Sequence, residues 1–156
     1  GVEDADTDNA LRTWAMNFVF MEELLETAKE NAGINGVYDR VTFIEHDILS
    51  GFPSLEDAPD CIVSNPPYIE SDVIKTLDEN VKNFEPLTAL DGGADGLDFY
   101  RSIIKENPLK KGGVLAFEIG YNQGKTVSGL MENDYDDVRI IKDLGGNDRV
   151  ITGIKK

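Results

Sequence analysis

Hydrophobic and polar positions change their rhythm several times along the chain. Residues 1–9 (GVEDADTDN) are polar and charged, with too little apolar material to bury, and read as a frayed leader. From Leu11 to Phe20 two periods compete. Trp14, Met16, Phe18 and Phe20 alternate like a strand, whereas Leu11, Trp14, Ala15 and Phe18 fit a helical stripe. The stretch EELLETAKENAG opens on acids and predicts a helix ending at Gly33. Val41–Glu45 (VTFIE) predicts a short strand, and Cys61–Ser64, after Asp60, a second. In Gly96–Asn107, Leu97, Tyr100, Ile103 and Ile104 share one helical face, stopped by Pro108. Gly112–Gly113 leads into Val114–Ile119 (VLAFEI), a nearly continuous apolar run that predicts a strand buried on both faces. Residues 122–133 predict a helix. Val138–Leu144 and Arg149–Ile154 predict strands joined as a hairpin across Gly145–Asp148.

Alternating strands and helices imply a mostly parallel α/β sheet, to which the closing hairpin adds an antiparallel edge. Ligands of such sheets gather beyond the C-terminal ends of the strands. The length of 156 residues suits one domain, and 40% hydrophobic residues can fill its core. Fifteen basic against 30 acidic residues give a net charge of −15. That balance argues against non-specific binding to a nucleic-acid backbone or to an anionic membrane. A lone Cys61 makes no internal disulfide, so a reducing, cytoplasmic setting is expected. No apolar run reaches the length of a membrane span, and the acidic start is the reverse of a signal peptide.

The most informative stretch is DCIVSNPPY, residues 60–68, where a buried strand ends in four residues of unusual chemistry. Asn65 precedes proline and is pushed toward an extended backbone. Pro66 and Pro67 fix φ and lack N–H groups, so their carbonyls are poorly suited to a regular ladder. Tyr68 adds a flat aromatic face. Together these parts suit a planar –NH2 group. The Asn65 side-chain oxygen accepts one N–H, a proline carbonyl accepts the other, and Tyr68 stacks on the plane. Two fixed acceptors aim the nitrogen lone pair at an electrophile, and an activated methyl needs no metal or acid–base dyad. The plainer alternative is a rigid turn that ends a strand. Other residues read more simply. His46 is expected to be solvated or hydrogen-bonded, and Cys61 to be a small core residue. Glu118 stands evenly between a supporting role near a cofactor and strand termination. Glu132, Asp134, Asp136 and Asp137 lack calcium-loop spacing. The glycines of 92–96 follow no strand and read as a flexible loop beside the substrate.

VSNPPYI (Val63–Ile69), FEPLTAL (Phe84–Leu90), DGLDFYRSII (Asp95–Ile104), KKGGVLAFEIGYNQG (Lys110–Gly124) and DLGGNDRVITG (Asp143–Gly153) together resemble the HemK/PrmC-like glutamine methyltransferases. The likeness runs from about Glu22 to the C-terminus. It implies a Rossmann-like class I methyltransferase sheet. It also implies S-adenosylmethionine as cofactor and, as substrate, the glutamine amide of the Gly-Gly-Gln loop of a peptide-chain release factor. Carried over, Asn65, Pro66, Pro67 and Tyr68 form the catalytic and substrate loop, and Glu85 and Pro86 shape the substrate side. Asp47 and Ile48, with Asn65, contact the cofactor. The family's Gly-rich loop after its first strand is absent, and its ribose-binding acid falls by register on Val19. The helical N-terminal substrate-recognition domain is missing as well. The expectation is therefore one partial catalytic domain over 1–156 with an atypical leader at 1–20 and the family's first strand missing, which leaves Cys61–Ser64 with a bare edge. Two alternatives stay open: a nucleic-acid amino methyltransferase with the same loop, and a non-catalytic remnant that binds a partner.

Overall fold

The computed structural model describes residues 13–16, 22–76 and 89–156, with only the backbone for Thr13–Met16, Glu22 and Glu23. These residues fall into two compact units.

The first unit holds Thr13–Met16, Leu55–Asn65 and Pro108–Lys156. Its five strands are β1 (Thr13–Met16), β2 (Cys61–Ser64), β3 (Val114–Glu118), β4 (Tyr135–Lys142) and β5 (Asp148–Lys155). They lie in the order β1-β2-β3-β5-β4. The first three are parallel, and β5 runs antiparallel to both its neighbours. The expected mostly parallel sheet with an antiparallel closing hairpin is therefore present.

Three expectations for this unit need correction. The edge of Cys61–Ser64 is not bare: Thr13–Met16 pair with it, Trp14 opposite Ile62 and Met16 opposite Ser64. In the contested stretch the strand period wins at residues 13–16, because a parallel neighbour supplies the ladder that a short strand needs. β3 is buried on one face, not two. Leu115 and Phe117 are fully buried, while Val114 is 37% exposed. The register explains this, since Val114 stands between Cys61 and Ile154 on one face, and Leu115 beside Ile62 on the other. The core face carries Ile62, Leu115, Phe117 and Ile151. The Gly124–Met131 helix packs on β4 and β5 with Val127 and Met131 fully buried. Finally, β4 begins at Tyr135, ahead of the expected Val138, because a bulge around Asp137 (φ 51°) breaks the alternation.

Between β4 and β5, Asp143 organises the turn. Its carboxylate accepts the N–H groups of Gly145 (2.9 Å) and Asn147 (3.0 Å), and Arg149 Nη2 at 3.2 Å. The Asn147 N–H first, then Arg149, hold this carboxyl below the usual aspartate range.

The second unit holds, among the described residues, 22–54, 66–76 and 89–107. The first helix, Glu22–Ile34, passes through Gly33 and does not end there. Val37 N–H donates to the Ala32 carbonyl and Gly36 N–H to that of Gly33, with Gly36 at φ 65°. This is a Schellman stop, and the residue that must be left-handed is Gly36. Val41–Glu45 forms no strand. Val41 is locally extended (φ −118°, ψ 128°), yet among the described residues the segment has no ladder partner, and Val41 and Ile44 are exposed. β-propensity without a neighbouring strand gives only an extended segment. The Asp98–Glu106 helix matches expectation, with Tyr100, Ile103 and Ile104 buried. Asn107 closes it by donating to the carbonyls of Ile103 and Ile104. Among the described residues, no helix is long and apolar enough to cross a membrane.

Candidate active site

β2 carries the chain to the candidate loop. Ile62 and Ser64 are buried, Val63 and Asn65 are exposed, so the strand's alternation runs on into Asn65. Asn65 is the last residue of the sheet unit at this crossing, and Pro66 opens the second unit. Pro66 and Pro67 are buried and Tyr68 is half-buried.

Beyond the prolines the chain is held by the glycine-rich segment. Ile69 forms an isolated parallel bridge with Asp91. Ile69 N–H donates to the Leu90 carbonyl (3.0 Å), and Gly92 N–H donates to that of Ile69 (2.8 Å). Ser71 N–H reaches the Gly93 carbonyl at 2.9 Å. Asp91 Oδ1 accepts both the Ser71 hydroxyl (2.7 Å) and the Gly93 N–H (3.0 Å). These two bonds, the Ser71 hydroxyl foremost, hold the Asp91 carboxyl below its ordinary range. Gly92 is where the segments touch. A Cβ there would lie 2.8 Å from the Tyr68 Cα and 2.9 Å from the Pro67 carbonyl oxygen, a backbone collision. The segment expected as a flexible loop is thus a hydrogen-bonded clasp.

The rest of the motif builds the next helix. Asp95 accepts the Leu97 N–H at 3.2 Å, and Arg101 grips its two oxygens at 2.9 and 2.5 Å. Arg101 is the main reason the Asp95 carboxyl lies low.

The residues proposed for the cofactor side are placed differently from one another. Asp47 is exposed and caps the Ile48–Ser50 turn, accepting the Leu49 N–H at 2.9 Å. Ile48 is wholly buried, and its carbonyl accepts the Ser102 hydroxyl at 3.0 Å. No part of this residue has surface to offer a ligand. Glu85 and Pro86 lie outside the described residues. His46 Nε2 sits 2.9 Å from the Gly51 carbonyl, hydrogen-bonded as expected. Burial, and secondarily Asp60, push the Cys61 thiol up, which keeps it protonated and weakly nucleophilic. Glu118 pairs with Arg149 at 3.8 Å. Among the described residues, no group of three His, Cys, Asp or Glu could hold a metal. Asp91 and Ser71 were not singled out by sequence reasoning. The signal that could have found them is an Asp-Gly-Gly run placed twenty residues after a serine that itself follows NPPY, a spacing interpretable only once the two segments are known to pair.

The chain is 48% identical over 132 residues to a release factor glutamine methyltransferase of Clostridium botulinum, covering 83% of this chain and 47% of that protein. It is 43% identical over 134 residues to the protein of the same name from Bacillus anthracis, again 83% and 47%. The Caulobacter vibrioides protein is 43% identical over 136 residues, 85% of this chain and 46% of its own length. Its relatives are release factor glutamine methyltransferases. The chain spans about half the length of the curated relatives it matches. No family model matches it. A possible exported protein from Bordetella parapertussis shares the fold, with a TM-score of 0.54 at 15% identity over 92% of this chain and 52% of that one. The likeness to the release factor glutamine methyltransferases therefore rests on sequence, and the fold likeness on structure.

Proposed function

We propose that this chain carries the substrate-amide portion of an S-adenosylmethionine-dependent methyltransferase. Its target would be the side-chain amide of a protein glutamine, the Gly-Gly-Gln glutamine of a peptide-chain release factor, in the cytoplasm. The observation that supports this best is the NPPY loop itself: an exposed Asn65 at the end of β2, followed by two buried prolines and a half-buried tyrosine. The Asn65 side-chain oxygen accepts one amide proton and the Pro66 carbonyl the other, while Tyr68 lines the plane. Both bonds strengthen as the nitrogen pyramidalises, so they favour the transition state over the bound amide. Excess negative charge suits a protein substrate with basic surface better than bare nucleic acid.

S-adenosylmethionine supplies, when bound, an electrophilic methyl group. The residues present fit it only in part. Asp47 offers an exposed carboxylate, but residues 17–21 (NFVFM), between β1 and the first helix, contain no glycine. A backbone cradle for the amino-acid end of the cofactor needs glycine there, and this segment supplies none. That gap favours the second reading, a domain that recognises the glutamine loop without transferring a methyl group.

Calorimetric titration of the folded chain with S-adenosylmethionine tests the pair. Micromolar binding, about −8 kcal/mol, together with methyl transfer to a Gly-Gly-Gln protein that Asn65→Ala abolishes, supports the enzyme. Absence of binding by a folded chain removes catalysis and leaves recognition.

A further inference from the structure

We propose that Asp91, acting with Ser71 and Gly92, is the positioning device for the amide-binding loop. It fixes the Pro67–Ile69 backbone, and through it the proline carbonyl and the Tyr68 face offered to the substrate. The inference rests on the glutamine-amide reading and adds to it residues that do not themselves touch the substrate.

The need for such a device follows from the prolines. Pro66 and Pro67 have no N–H, so the two residues after Asn65 cannot be pinned by donating into a ladder. Holding must come from the residues that follow, and there the bonds accumulate. Ile69 donates to Leu90 and accepts from Gly92, and Ser71 donates through its N–H to Gly93. These backbone bonds register two short pieces, 69–71 and 90–93. Two pieces bridged at one position slide or fray easily, because an isolated bridge lacks neighbouring rungs. The Asp91 carboxylate removes that freedom. One oxygen takes the hydroxyl of Ser71 from one piece and the N–H of Gly93 from the other, so a single charged acceptor ties both together. Gly92 then sets the distance. With no side chain, its Cα approaches Tyr68 and the Pro67 carbonyl more closely than any other residue permits. The clasp thus bears on the Tyr68 Cα and the Pro67 carbonyl, next along the chain from the Pro66 carbonyl proposed as acceptor.

The test uses the full chain labelled for amide NMR, with an acetylated Gly-Gly-Gln peptide as probe and its Gly-Gly-Glu counterpart as control. Asp91→Ala is expected to speed hydrogen exchange at the Ile69, Ser71 and Gly92 amides by roughly tenfold or more, and to weaken peptide binding by a similar factor. Asp91→Asn keeps an Oδ1 acceptor and restores most of both. Ser71→Ala removes one donor of the two and gives a smaller effect, so the inference stays testable if Asp91→Ala folds poorly. Exchange in β4 and β5 serves as the internal control for folding. In the parent chain, peptide affinity falls as acid protonates Asp91, a step that Asp91→Asn lacks. Unchanged exchange at the three amides overturns the clasp. Faster exchange with unchanged peptide affinity overturns its positioning role. A parent chain that ignores the peptide, or an Asn65→Ala variant that binds it equally well, overturns the amide reading, and the clasp is then a structural brace alone.

Discussion

The segment before Asn65 and the segment after Pro67 are held by opposite means. β2 is held on both sides by parallel ladders, to β1 and to β3. Its bonds come from the backbone, so many sequences would serve, provided Ile62 and Ser64 face the core. The stretch from Tyr68 to Ser71 is tied by a few backbone bonds to 90–93, by the Asp91 carboxylate and by the close approach of Gly92. Ladders distribute their stabilisation over many interchangeable contacts, whereas the clasp concentrates it in three residues. Damage to the sheet should therefore register as lost stability of its unit. Damage to the clasp should register as lost placement, with less change in stability.

The largest effect that sharpens this contrast is Phe117→Ala. It removes a fully buried ring from the sheet core and is expected to cost about 3–5 kcal/mol in denaturant unfolding. Gly92→Ala comes next, at roughly 2–3 kcal/mol, because the new Cβ meets backbone and not a flexible side-chain end. Its substrate binding should fall further than its stability. Comparable losses of both would erase the distinction between the two regions.

Acid provides a gentler probe. Asp91, Asp95 and Asp143 all have lowered carboxyl pKa values in the fold. Each contributes stability that is present above the ordinary aspartate value of 3.8 and is lost as pH falls through the lowered one. Below about pH 4, once the slower chemistry of amide exchange in acid is divided out, the clasp amides and the 143–147 turn should both exchange faster, while the β2–β3 amides, which have no carboxylate in their ladder, should not. Uniform acceleration across all three would contradict the contrast. Smallest of all is Val63→Thr, on the open face of the same ladder, expected within about 0.5 kcal/mol of the parent.

How much of this was legible in the sequence differs by contact range. The Asp98–Glu106 helix and the closing hairpin were readable because their signals are local: Tyr100, Ile103 and Ile104 at helical spacing, and a Gly-Gly-Asn-Asp turn between β-rich runs. The fate of Val41–Glu45 was not, because whether a β-branched run becomes a strand depends on a partner that no local pattern reveals. The same dependence decided Thr13–Met16 in the other direction. NPPY announced itself by composition, but Asp91 did not. Its two partners lie 20 residues upstream and two downstream, and its chemistry exists only once those segments meet.

The half-covered sheet has a practical consequence. Val63, Val114 and Ile154 lie on one face at 42%, 37% and 38% exposure, a native apolar surface rather than a product of unfolding. Dyes that fluoresce on contact with hydrocarbon, usually taken to report partly unfolded states, should light up on the intact fold. A thermal melt followed by such a dye would start bright and could fall as the sheet comes apart, so circular dichroism, not dye emission, is the signal by which this chain's transitions should be read.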